Sequence, residues 1–239
     1  MLEFQSVIKK FSDQFVLGPL QIVIPDNIML GVLGPNGSGK STFLRLITGN
    51  TKTTDGRVLW NNKPIQEESL SEIAYLPDIN PFPNWMSVLD AIQFFSFFYL
   101  DFDRNKCLDY FEQFHVSLKK KISHLSKGDQ EKVKLILILS RKAKLFLLDE
   151  PLEGLDICTR KKMLQLLVNL LNEKCSVILS SHYINEMDQI LTNVLFLKDG
   201  KIALFEDKDT IQAEMGLSLE DIYRDMYLEE NADVSFDNI

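Results

Sequence analysis

Eight consecutive residues constrain this chain more than any others: Gly34-Pro35-Asn36-Gly37-Ser38-Gly39-Lys40-Ser41. They follow the apolar run Asn27 to Leu33 and precede a helical pattern that starts at Ser41, which is the strand-to-helix context that G-x-x-x-x-G-K-[S/T] requires. Glycines let successive backbone N–H groups turn inward around a polyphosphate, and the start of the helix adds positive potential. Lys40 then reaches the outer phosphates and Ser41 offers a hydroxyl to Mg²⁺. A glycine-rich turn that binds nothing is the alternative, and agreement at every fixed position in the right context argues against it.

The rest of the chain must be a core that carries this loop. Its 239 residues, 45% hydrophobic and 25% charged, suffice for one large domain or two small ones. Lys+Arg 26 against Asp+Glu 34 gives 26 − 34 = −8, so no basic field draws in nucleic acid, and none is expected as a partner. The longest stretch without Asp, Glu, Lys or Arg runs from Asn27 to Gly39, short of the roughly 18 to 20 apolar residues of a spanning helix. The opening MLEFQSVIKKF has no signal-peptide pattern, and Cys107, Cys158 and Cys175 make neither a metal spacing nor a disulfide framework. A cytoplasmic setting is expected.

Hydrophobic periodicity predicts strands at Leu2 to Ile8, Phe15 to Ile24, Asn27 to Leu33, Arg57 to Trp60 and Ile73 to Leu76. Pro77, Pro81 and Pro83 then interrupt regular structure, and residues from Val88 to about Ser140 read as helical. Within them VLDAIQFFSFFYL is apolar nearly all round, which predicts a buried helix with Phe94, Phe95, Phe97, Phe98 and Tyr99 in the core. Leu145 to Leu148 and Ser176 to Leu179 are short apolar runs suited to a parallel sheet covered on both faces. Between them Met163, Leu166, Leu167, Leu170 and Leu171 follow helical spacing. The fold class is therefore α/β, with a core over residues 1–80 and 143–208, a helical insert over 81–142 and an acidic extension over 209–239. SLEDIYRDMYL reads as a short amphipathic helix, and the last ten residues as too polar to order. The clusters Lys119-Lys120-Lys121 and Arg160-Lys161-Lys162 read as solvated faces, with attraction to an anionic membrane leaflet as the alternative.

Leu145 to Leu148 ends in Asp149-Glu150. Carboxylates at the C-terminal end of a parallel strand emerge in the crevice where α/β sheets bind ligands. There Asp149 can hold the Mg²⁺ shell, and Glu150 can polarise a water for attack on a γ-phosphate.

With GPNGSGKST (Gly34 to Thr42) and LFLLDE (Leu145 to Glu150) stand Leu125-Ser126-Lys127-Gly128-Asp129-Gln130, Glu153-Gly154-Leu155-Asp156 and SSHYINEM with His182. In this order and spacing they resemble an ATP-binding cassette (ABC) ATPase, the nucleotide-binding subunit of an ABC transporter. The resemblance implies a P-loop NTPase: a RecA-like core with an N-terminal antiparallel β subdomain and a helical subdomain insert. It implies ATP and Mg²⁺ as cofactors, the metal on Ser41, Asp149 and Asp78. It implies Lys40, Glu150 and His182 as the catalytic set, and nucleotide contacts from Gly34 through Thr42. Phe11 takes the place of the aromatic that stacks on adenine, with Phe15 as the alternative. Ser126 and Gly128 match the signature residues presented across a dimer interface to the partner's γ-phosphate, so a second cassette, identical or related, is implied.

Three departures stand out. Asp78 replaces the glutamine expected after IAYLP and adds negative charge near a triphosphate. Lys127 and Asp129 replace a glycine and a glutamine of the signature, and Leu152-Glu153 replace small residues before Gly154. The LSKG form and compact length resemble ATPases of bacterial ABC-2-type exporters. That implies a separate integral membrane permease moving a peptide, drug or similar compound, with this subunit peripheral at the inner face of the cell membrane; the family docks that partner on the helical insert, so a docking surface is the alternative to core for Phe94, Phe95, Phe97, Phe98 and Tyr99. The alternative is a slow-hydrolysing nucleotide-dependent clamp or sensor, for which Asp78 is the main support. A translation or DNA-repair ABC protein would bring tandem cassettes or a long coiled-coil insertion, and neither is present.

Overall fold

Period-two alternation in the N-terminal strands and continuous apolar runs in the later ones produce two sheets of different kind. The computed structural model describes residues 1–12 and 15–227. In chain order the elements are β1 (Leu2–Ser12), β2 (Phe15–Ile24), β3 (Met29–Leu33), α1 (Lys40–Ile47), β4 (Asp55–Trp60), β5 (Lys63–Pro64), α2 (Glu67–Leu70) and β6 (Ile73–Leu76). Helices α3 (Val88–Phe98), α4 (Arg104–Gln113) and α5 (Lys127–Leu139) follow. The chain continues with β7 (Leu145–Asp149), α6 (Ile157–Asn172), β8 (Ser176–Ser180), α7 (Ile184–Met187), β9 (Asn193–Lys198), β10 (Lys201–Asp207), α8 (Lys208–Met215) and α9 (Leu219–Tyr227).

The smaller sheet is antiparallel, in the order β2-β1-β4-β5. The larger runs β10-β9-β3-β8-β7-β6, parallel except for the β9–β10 hairpin. Strands β3, β7 and β8 are buried along their whole length, as expected of a sheet covered on both faces. Their alternate residues face two cores. Leu30, Val32, Leu145, Leu147 and Ile178 pack with α1 and the antiparallel sheet, where Phe4 stacks on Phe43 at 4.6 Å between ring centroids. Met29, Leu33, Phe146, Leu148, Val177 and Leu179 pack on the other side with α3 to α6 and α9.

The aromatic helix departs from expectation. α3 buries Val88, Ala91, Ile92 and Phe95, one face at helical spacing, whereas Phe94, Phe97 and Phe98 are 44%, 79% and 61% exposed. Among the described residues only one side of α3 meets neighbours, so apolar composition all round did not make it a fully buried helix; its outer face is an exposed aromatic patch. Ser87 caps the helix, accepting from Asp90 N while Asp90 accepts from Ser87 N.

α9 is the amphipathic helix that the sequence suggests: Leu219, Ile222 and Tyr227 are buried, and the Tyr227 hydroxyl donates to Leu197 O at 2.9 Å. The expectation for the last ten residues lies outside the described residues. The β9–β10 hairpin turns at Asp199-Gly200, both at positive φ (49° and 72°), the conformation that a tight Asp-Gly hairpin demands. Among the described residues no helix is long and apolar enough to cross a membrane.

Candidate nucleotide site

β3 ends at Leu33 and the chain turns at Gly34, whose φ is 151°. A Cβ there would lie 2.6 Å from both Leu197 O and Ser38 Oγ, so only glycine fits. Gly39, at φ 109°, precedes the first turn of α1, and Lys40 and Ser41 open the helix. The Lys40 ammonium folds back onto Gly34 O (2.8 Å) and Pro35 O (3.2 Å). Its side chain is buried, and desolvation pulls its pKa below the usual lysine range against the opposing pull of Glu150 and Asp149.

β7 brings Asp149 to the same place. Asp149 Oδ1 accepts from Ser41 Oγ (3.0 Å) and Ser180 Oγ (2.7 Å), the latter at the end of neighbouring β8. The other oxygen, Oδ2, is buried and has no hydrogen-bond partner, as is Ser38 Oγ. A buried, unpaired carboxylate oxygen beside a serine hydroxyl is the oxygen donor set that suits a hard divalent cation such as Mg²⁺. Glu150 adopts φ 48°, uncommon outside glycine, with its N–H donating to Ser180 Oγ at 3.0 Å. Its carboxylate meets His182 Nδ1 at 2.9 Å and lies 3.9 Å from Lys40 Nζ. Burial raises the pKa of Glu150 above the ordinary carboxylate range, and His182 and Lys40 counter part of that rise.

These groups face a cleft of about 570 Å³ lined by Phe15, Asn36, Gly37, Gly39, Lys40, Ser41, Thr42, Asp78, Glu150, Glu153 and His182. Pro35 and Ser38 line an adjacent cavity of about 510 Å³ with Phe15, Met226 and Tyr227. Phe15 therefore borders both spaces, whereas Phe11 borders neither; it is 55% exposed with its ring 6.2 Å from that of Phe15. Asp78 lies at the cleft, and Lys134 donates to its backbone carbonyl at 3.0 Å.

Ser126 and Gly128 are not brought to this cleft. Ser126 caps α5 by accepting from Asp129 N (3.2 Å), and Gly128 lies so close to Gly154 that a Cβ would sit 3.0 Å from the Gly154 carbonyl. Two departures from the family pattern meet here: Lys127 Nζ pairs with Glu153 Oε1 at 3.1 Å. His115 and His124 are exposed and outside the cleft. Ser180, which sequence reasoning missed, bonds both Asp149 and Glu150; its signal was the polar end of SVILS.

Residues 17–153 match the ABC transporter family. The uncharacterized ABC transporter ATP-binding protein YhaQ of Bacillus subtilis (strain 168) is 31% identical over 206 residues, which cover 84% of this chain and 69% of that protein. The lantibiotic transport ATP-binding protein SrtF of Streptococcus pyogenes is 23% identical over 232 residues, 96% of this chain and 99% of that one. A dimeric ATP-binding cassette solved in a post-hydrolysis state, bound to ADP and Pi, superposes with a TM-score of 0.76 at 24% identity, covering 87% of this chain and 98% of its own. With a phosphate cradle, an acid-ended strand and a histidine converging on one cleft, the chain belongs to the ABC transporter family as an ATP-binding subunit.

Proposed function

We propose that this ABC ATPase holds the triphosphate of ATP, with Mg²⁺, between Lys40 and Glu150, works as a pair of cassettes, and powers export through a separate membrane permease. The observation that carries the proposal is the convergence of Lys40, Ser41, Glu150 and His182 on one cleft, with Asp149 hydrogen-bonded to Ser41. The loop from Gly34 to Thr42 cradles the phosphates with its backbone N–H groups, Pro35 having none to offer, and Lys40 pairs with the outermost. Ser41 and Asp149 would hold the metal, with Asp78 as a further oxygen donor. Bound there, Mg²⁺ neutralises phosphate charge and fixes the geometry of the triphosphate. Glu150 accepts the proton of the water that attacks the γ-phosphorus, ADP leaves with the electrons of the broken P–O bond, and His182 holds the γ-phosphate and the Glu150 carboxylate in register. Phe15 supports the nucleobase in preference to Phe11, because only Phe15 borders the cleft.

Ser126 and Gly128 do not line their own chain's cleft, which suits donation to a second cassette. Nucleotide binding then closes the pair and hydrolysis reopens it. Similarity to a lantibiotic transport protein supports export, and the exposed aromatic face of α3 gives the subunit a surface for its permease at the cytoplasmic side of the membrane. A second reading, a slow-hydrolysing clamp, is favoured by Asp78 at the cleft. The deciding experiment is Glu150→Gln with ATP and Mg²⁺. Loss of turnover with a stable ATP-bound dimer on size-exclusion chromatography supports the proposal, and wild-type turnover refutes the assignment of Glu150.

A further inference from the structure

Arg160 opens a basic run in α6, yet it does not share the environment of its neighbours. Lys161 and Lys162 are exposed, whereas the Arg160 side chain is only 15% exposed. Its Nε donates to Leu155 O at 2.8 Å and its Nη1 to Glu186 Oε1 at 2.7 Å. The guanidinium carbon lies 4.1 Å from the centroid of the Tyr183 ring. That ring is 4.2 Å from the His182 imidazole, which contacts Glu150 at 2.9 Å. One side chain thus ties together the loop that follows Glu150 and the segment that carries His182.

We infer that Arg160 is a positioning residue for hydrolysis: through Tyr183 it fixes the His182 ring against Glu150, and through Leu155 it keeps the two loops in register. The inference rests on the proposed roles of His182 and Glu150. The His182 segment also borders a cavity of about 390 Å³ shared with Glu220, Tyr223 and Arg224 of α9, which leaves the ring room to move. Arginine is the residue suited to this task, since its planar fork donates in two directions while its flat face stacks on an aromatic. Lysine keeps the charge opposite Glu186 but neither the fork nor the face. Displacing a catalytic group by about 1 Å costs on the order of 10²-fold in rate, so loss of this brace has a measurable consequence.

The test uses the full chain carrying Arg160→Lys, Arg160→Met, Tyr183→Phe or Tyr183→Leu, beside wild type and Glu150→Gln. Arg160→Lys and Tyr183→Leu are expected to lower kcat for ATP by about 10-fold or more with KM within about 2-fold, while Tyr183→Phe retains the ring and the rate. The chain has only three histidines, so imidazole NMR resonances give a readout independent of turnover. Arg160→Lys should move the His182 resonance out of the Tyr183 ring current and leave those of His115 and His124 in place. Should Arg160→Met fail to fold, Arg160→Lys decides the matter. Wild-type kcat in Arg160→Lys, or an unmoved His182 resonance, overturns the inference. Wild-type turnover in Glu150→Gln instead overturns the proposed function, and the resonance still reports whether Arg160 sets the ring.

Discussion

Lys40 Nζ and Glu150 Oε1 lie 3.9 Å apart, with their side chains only 6% and 12% exposed. Burial disfavours the charge on each, drawing the lysine pKa down and the carboxyl pKa up, and each charge partly restores the other. A cation and a base brought this close are poised for a ligand that separates them: a polyanion that takes the lysine leaves the carboxylate to a water.

Replacing Lys40 removes both the phosphate contact and the counter-charge of Glu150. Lys40→Ala should weaken ATP binding by about 100-fold or more, since losing one partner of a buried charge pair costs about 3 to 5 kcal/mol. Calorimetric titration with ATP and Mg²⁺ measures this, and wild-type affinity would contradict the cradle assignment.

The raised Glu150 pKa makes stability depend on pH with a defined sign. Its carboxyl binds a proton more tightly folded than unfolded, so its contribution is present below the ordinary value of 4.5 and is lost as pH rises through the higher folded value. The melting temperature of the nucleotide-free wild type, measured relative to Glu150→Gln so that the other carboxylates cancel, should therefore fall across that window. Turnover runs the other way: it needs the carboxylate, so acidification through the same window should lower kcat.

Asp78 adds an acidic residue to the lining of the cleft. Asp78→Gln removes that charge and should raise turnover by several-fold at saturating Mg²⁺, where loss of an oxygen donor is compensated, since like charges in near contact cost roughly 1 kcal/mol in water and more in a partly dry cleft. Steady-state rates against Mg²⁺ concentration measure the effect; identical curves would remove the case for a restrained clamp.

The outer face of α3 makes a separable prediction. Phe97→Ser together with Phe98→Ser touches only exposed rings, so the fold should change by no more than about 0.5 kcal/mol per site. ATP binding should persist while co-sedimentation with membranes from the native host is lost; unchanged sedimentation would assign the patch elsewhere.

Much of the site was legible because its chemistry is local. A glycine at φ 151° with a lysine at the first turn of a helix, and two acids at a strand end, each occupy one short sequence window, and their types follow from what backbone and phosphate demand. The Asp199-Gly200 hairpin was equally local, and its signal went unread. Motif position points to Phe11, but it carries no information on which of two nearby rings borders the cleft, and Phe15 is the one that does.

The sequence by itself determined the parallel core, the phosphate cradle and the identities of the groups around it, since each is written in a short window whose period or composition admits one local structure. Only the tertiary structure decided which groups meet across distance. Ser180 bridges Asp149 and Glu150, Lys127 pairs with Glu153, and Arg160 turns inward while Lys161 and Lys162 stay in water. Helix α3 shows the same division: its composition was plain, but whether its aromatic faces were covered depended on how many neighbours the fold could place around it. Burial and pairing are properties of packed surfaces, and no window of a chain contains the surface it will meet.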